Sequence, residues 1–211
     1  MMWCYHQIMM QRLRQALSQW QKRRIVQPDR VPSAVLVPIY NKHGEWHILF
    51  IKRTEKVKVH KGQISFPGGT HEEQDAKLLN TALREGAEEI GLAPGDVEIL
   101  GALDDTLTIT SNYVISPFIA LIPWPYQFKI DSDEVDEIIE VPISALLDRA
   151  CISQNAEIID GKAVTTYTYH YQGRVIWGAT ARILNQFLGI WAQVMGASKA
   201  NKRMGRESGL S

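Results

Sequence analysis

The chain has 211 residues, 45% of them hydrophobic and 22% charged, the make-up of a globular protein with enough apolar mass for one core. Lysine plus arginine number 23, and so do aspartate plus glutamate, so no global charge draws the chain to nucleic acid or to an anionic membrane. The most apolar stretch, 114–124, is broken by Ser116, Pro117 and Pro123 and falls short of the roughly 20 residues that cross a bilayer.

Residues 1–6 lack a basic region followed by an apolar run and a small-residue cleavage site, so no signal peptide is read. Cys4 and Cys151 stand alone, with no CxxC and no metal-ligand spacing. That pattern points to a reducing compartment and a cytoplasmic location. Along 11–24, Leu13, Ala16, Leu17 and Trp20 recur at helical spacing, predicting a short amphipathic helix ahead of the main domain. Residues 31–40 and 46–53 are rich in valine, isoleucine and aromatics around the turn-forming Asn41-Lys42-His43-Gly44, which predicts a β-hairpin. A basic run follows at Lys52, Arg53, Lys56, Lys58, His60 and Lys61; composition alone reads it as a solvated loop.

A short strand is expected at 63–66, leading into Pro67-Gly68-Gly69, where the glycines let the backbone take positive φ and approach a ligand. Over 76–90 the positions Leu79, Ala82, Leu83, Gly86 and Ile90 form one apolar stripe, and Gly91 stands where a left-handed C-terminal cap belongs. This predicts a helix, with Asp75 as its N-cap. Further strands are expected at 97–103, 114–122 and 135–141, and a short helix at 143–149. A second hairpin is expected at 165–171 and 175–177, and a closing helix at 180–194. Three parts result: an N-terminal helical extension at 1–30, one domain at 31–195, and a polar tail at 196–211 expected to be disordered.

Glu85, Glu88 and Glu89 lie three and four residues apart and are read as one helix face opposite the apolar stripe. Like charges so placed repel unless a cation neutralises them, and carboxylate oxygens suit hard divalent ions. An acidic solvated face is the plainer reading of these three residues alone. Gly86 costs the helix about 1 kcal/mol relative to alanine, which implies a gain from close packing on that side.

Gly69, Asp75 and the run Arg84-Glu85-Gly86-Ala87-Glu88-Glu89-Ile90-Gly91-Leu92 resemble the Nudix box, GX5EX7REUXEEXGU, with U aliphatic. The second half matches at every fixed position. In the rest, Asp75 replaces a glutamate with one extra residue before Arg84, and Gly86 takes an aliphatic position. The resemblance implies an α+β fold, a mixed β-sheet sandwiched between α-helices. It also implies hydrolysis of a nucleoside diphosphate linkage, with Glu85, Glu88 and Glu89 holding Mg2+ or Mn2+ and Arg84 a structural member of the box loop. Glu85, Glu134 and Glu137 are the candidates for the general base.

Upstream, Leu49-Phe50-Ile51-Lys52-Arg53-Thr54, Lys58, Gly62 and Phe66-Pro67-Gly68-Gly69 are similar to LLTxR[SA]x3Rx3Gx3FPGG, the signature of the coenzyme A pyrophosphatase branch. Trp177-Gly178-Ala179-Thr180-Ala181 resembles the WGxTA segment of the same branch, and Leu100-Gly101-Ala102-Leu103-Asp104-Asp105 followed by Pro117-Phe118 agrees with it. This branch implies that the substrate is coenzyme A or an acyl-coenzyme A, giving adenosine 3′,5′-bisphosphate and phosphopantetheine or its acyl form. Arg53, Lys58, Lys61, Gly68 and Gly69 are then the expected substrate contacts, by charge-assisted bonds to phosphates. Trp177, Phe66 and Tyr113 are more often core than ligand surface. The alternatives are a Nudix hydrolase of ADP-ribose or another nucleoside diphosphate derivative, and a catalytically silent nucleotide-binding module. No macromolecular partner is implied beyond an optional homodimer.

Overall fold

A central sheet of eight strands separates two apolar layers in the computed structural model, which describes residues 2–56, 60–159 and 162–207. β1 (Val31–Lys42) and β2 (Glu45–Arg53) form the expected hairpin, tightened to the two residues His43 and Gly44, both at positive φ. The Asn41 side chain accepts from the Gly44 amide and braces the turn. β3 (Ile64–Ser65) pairs with β2, and β4 (Gly68–Thr70) pairs with the start of β1. The Pro67-Gly68-Gly69 stretch is therefore the entry to a strand.

β5 (Glu98–Ala102), β6 (Thr106–Leu107), β7 (Tyr113–Leu121) and β8 (Val135–Pro142) complete the sheet. β7 runs parallel to β1, whereas every other pairing is antiparallel, so the sheet is mixed. β9 (Ile152–Ile159), β10 (Lys162–Tyr171) and β11 (Arg174–Ile176) make a second, three-stranded sheet. β9 was not expected: Ser153, Gln154, Asn155 and Glu157 give it little β-propensity of its own, and pairing with β10 supplies the order.

The alternation along β1 explains the two layers. Ala34, Leu36 and Tyr40 face one side, where α2 (Leu78–Ile90) covers them together with Ala82 and Ile90. Val37 and Ile39 face the other side and pack under α1 (Met2–Gln19), α3 (Ile143–Leu146) and α4 (Gly178–Glu207). The fold is the expected α+β arrangement, a mixed sheet between helices.

Several boundaries differ from the sequence reading. α1 starts before residue 11 and stops at Gln19, because Met9 and Met10 join Leu13 and Leu17 in the core. Residues after it are held in extended form: Asp104 accepts from the Trp20 indole and the Arg23 amide, Asp105 accepts from the Ile25 amide, and Lys22 pairs with Asp105 at 2.7 Å. α4 continues to Glu207, through most of the tail expected to be disordered. Ala197, Lys199, Ala200, Lys202, Arg203 and Met204 are good helix formers and no proline interrupts them. No described helix is long and apolar enough to cross a membrane.

Candidate active site

α2 packs on β1 and β4, and two glycines set how closely. A Cβ at Gly86 would stand 2.9 Å from Leu36 Cδ1, and one at Gly69 would stand 2.3 Å from Glu85 Oε1. Gly68, at positive φ, would place a Cβ 2.3 Å from the Ala34 carbonyl oxygen. The bare Gly68-Gly69 backbone thus lets the glutamates of α2 reach the rim of the sheet. At the other end of α2, Gly91 takes the left-handed cap conformation, and the Gly91 and Leu92 amides donate to Ala87 and Gly86.

The N-terminal end of α2 corrects the sequence reading. Its cap position is Lys77, with no side-chain cap bond, and Asp75 instead binds Arg84. Arg84 Nε donates to Asp75 Oδ1 at 3.2 Å and Nη2 donates to Oδ2 at 3.1 Å, with a further bond from Nη2 to the Thr70 carbonyl. The arginine beside it holds the Asp75 carboxyl down at about 2. Arg84 also lies 3.0 Å from Glu85 and 2.8 Å from Glu88, so it ties the β4 loop to the helix.

The three box glutamates do not share one environment, contrary to their reading as a single exposed face. Glu88 is exposed, Glu85 is half-buried, and Glu89 is only 2% exposed because position 89 lies beside the Ala82–Gly86 stripe. Glu89 accepts from the Gly68 amide at 2.9 Å and from Arg53 Nη1 at 3.1 Å. Burial outweighs those two bonds and pushes its carboxyl up to about 8. Burial also raises Glu85, against the pull of Arg84. Glu85 and Glu134 both raise Glu89, and Glu88 and Glu134 both raise Glu85, so these four carboxylates lie close enough to repel one another.

Glu134 joins this group through Arg53, whose Nη2 lies 3.5 Å away. Glu137 does not, since its carboxylate is taken up by Arg174 of β11. Lys61 is exposed and lies off the cavity described next, and Lys58 falls outside the described residues.

A cavity of about 380 Å³ opens beside Gly68 and Gly69, on the α4 side of the sheet. Arg53 and Phe66 line it from one end of the sequence, Trp177, Gly178, Ala179 and Thr180 from the other. Trp177 is 44% exposed and so is no core residue, whereas Phe66 is buried and stacks on Phe50. The sequence reading missed Thr108, Ser111 and Arg182 as lining residues. The signal for Arg182 was an arginine set inside the apolar run Ala181, Ile183, Leu184.

The chain matches the NUDIX domain family model over residues 30–160. It is 34% identical over 154 residues to a protein of Photorhabdus laumondii described as an uncharacterized Nudix hydrolase, NudL, across 73% of this chain and 81% of that one. A protein of the same description from Pectobacterium atrosepticum is 34% identical over 158 residues, covering 73% and 79%. The fold is similar to that of a MutT/nudix family protein from Enterococcus faecalis, with a TM-score of 0.51 and 16% identity over 83% of this chain and 71% of that one. The chain belongs to the Nudix hydrolase family, and it is a pyrophosphatase of that class.

Proposed function

We propose that the enzyme hydrolyses the diphosphate of coenzyme A or an acyl-coenzyme A, releasing adenosine 3′,5′-bisphosphate and phosphopantetheine or its acyl form. One observation carries this reading. The two stretches that resemble the coenzyme A branch are remote in sequence yet meet at one cavity, the first supplying Arg53, Phe66, Gly68 and Gly69 and the second Trp177 to Thr180, and that cavity abuts the box glutamates through Gly68 and Gly69.

The reading includes Mg2+ or Mn2+ held by Glu85, Glu88 and Glu89. Among the described residues no three acidic, histidine or cysteine side chains already converge as a ligand set. The donor chemistry nevertheless fits, because the three candidate ligands are all carboxylates and the charges around Glu85 and Glu89 repel one another. Glu88 is held off by an exposed i,i+4 pair with Arg84, a contact worth only about 0.2–0.5 kcal/mol. A bound ion supplies Lewis acidity toward the phosphoryl oxygens and a water.

Hydrolysis forms a bond from a water oxygen to one phosphorus and breaks that phosphorus from the bridging oxygen, which leaves with the other phosphate. A carboxylate takes the proton of the water. Glu85 and Glu134 stand by the site for this task, whereas Glu137 is engaged with Arg174. Arg53 orients Glu89 and brings positive charge to the cavity rim. Asp75 and Arg84 hold the β4 loop against α2. Incubating the protein with coenzyme A and either metal, then weighing the products by mass spectrometry, tests the reading: adenosine 3′,5′-bisphosphate and phosphopantetheine support it, and intact coenzyme A overturns it.

A further inference from the structure

The cavity carries a feature that the diphosphate site does not use. Its basic side chains among the described residues are Arg53, His60 and Arg182, and no carboxylate lines it. Arg53 has Glu89 and Glu134 as counter-charges, and His60 bonds Gln63. Arg182 has no ion-pair partner among the described residues: one guanidinium nitrogen donates to the Leu107 carbonyl, and Nε is buried without a partner. Ser111 Oγ, in the loop between β6 and β7, is likewise buried and unpartnered. Burial disfavours the charge on Arg182, and a buried cation with unsatisfied donors is costly unless an anion completes it.

The position fits a second anionic group of one ligand. Leu107 pairs with Val114 of β7, β7 with β1, and Ser33 of β1 with Thr70 of β4. Leu107 is in line with Pro32 of β1 and Gly69 is opposite Ala34, so three strand spacings and a two-residue step separate them, about 16 Å. Subtracting a hydrogen-bonded contact of about 3 Å at each end leaves a span of about 10 Å. A ribose bearing a diphosphate on its 5′ oxygen and a phosphate on its 3′ oxygen reaches across such a span.

We infer that Arg182 and Ser111 form a phosphate-monoester subsite, which holds the 3′-phosphate of the substrate while its diphosphate lies at Gly68 and Gly69. This inference rests on the coenzyme A reading above. Arg182 offers a forked donor and Ser111 a hydroxyl donor, the pair of types that recognise a terminal phosphate. A substrate without that phosphate leaves both unpaired, so the subsite selects coenzyme A over dephospho-coenzyme A.

The test compares kcat/KM for coenzyme A and dephospho-coenzyme A in the wild type, Arg182→Gln, Arg182→Lys and Ser111→Ala, with calorimetric binding of adenosine 3′,5′-bisphosphate and adenosine 5′-monophosphate beside it. Arg182→Gln should cost roughly ten- to hundredfold more on coenzyme A than on dephospho-coenzyme A, chiefly in KM, with partial rescue in Arg182→Lys. Ser111→Ala, which leaves the Leu107 contact intact, should show the same bias more weakly, and it carries the test if Arg182→Gln does not fold. Equal losses on both substrates overturn the subsite while leaving the coenzyme A reading intact. Arg182-dependent preference for the bisphosphate in a protein that spares coenzyme A supports the subsite and overturns the reading instead. A protein that neither cleaves coenzyme A nor shows an Arg182-dependent preference for the bisphosphate overturns both.

Discussion

Asp75 meets Arg84 through both carboxylate oxygens, even though an extra residue separates the two relative to the box pattern. The helix begins only at Leu78, so the extra residue is absorbed in the loop and the acidic group still reaches the arginine. Replacing Asp75 by Asn should destabilise the fold by about 3 kcal/mol, because it strands a mostly buried guanidinium. Urea unfolding at neutral pH measures this. The pair also sets an acid response. The Asp75 carboxyl lies at about 2 in the folded chain against about 3.9 unfolded. Its stabilisation is therefore complete above about pH 4 and lost as pH falls through 2. The Asn variant should lack that component of the acid slope between pH 4 and 2; an unchanged slope would contradict the pairing.

Gly68 and Gly69 should fail in different ways when changed to alanine. At Gly68 the added Cβ strikes the Ala34 and Val35 backbone, so the cost falls on stability, about 1–3 kcal/mol. At Gly69 it strikes only the end of the Glu85 side chain, which can swing away. Gly69→Ala should keep most of its stability and lose roughly tenfold or more in kcat. Thermal melts and steady-state rates on the same preparations separate the two.

Glu89→Gln keeps the size of the buried side chain, but it replaces one of the two oxygens that accept from Gly68 and Arg53 with an NH2 donor and removes a carboxylate that can ligate a cation. Turnover should fall roughly a hundredfold or more in a protein whose circular dichroism is unchanged. Full activity in that folded variant would remove the carboxylate platform from the account.

Much of this site was legible in the sequence because it is local. The stripe Ala82, Gly86 and Ile90, the cap at Gly91 and the spacing of the glutamates all lie within one helix, where 3.6-residue periodicity reads directly. What escaped depends on long-range packing. Glu89 was read as exposed because helix spacing cannot tell how wide the buried stripe is. Asp75 was read as a cap because its partner Arg84 lies a loop away, and Glu137 was grouped with Glu134 because nothing local reveals Arg174. Arg182 and Ser111 come to line one cavity only when α4 folds over the end of the sheet.

The N-terminal segment also acquires a role from long-range contacts. Leu17 packs on Gly101 so closely that a Cβ there would lie 2.7 Å from it, and the buried Lys22–Asp105 pair pins the chain just beyond. Asp105→Ala should cost about 3 kcal/mol and raise amide exchange at Ile25, whose amide it releases. Exchange there equal to wild type would show that Asp105 does not hold the segment.

The central claim is that the cavity and the glutamates together cut a coenzyme A diphosphate. Its most direct test is a side-by-side measurement of kcat/KM for coenzyme A, an acyl-coenzyme A and ADP-ribose, with Mg2+ and with Mn2+. The coenzyme A substrates should be cleaved at least about tenfold more efficiently, a difference of about 1.4 kcal/mol in transition-state binding. Faster cleavage of ADP-ribose, or binding of every nucleotide with hydrolysis of none, would contradict it.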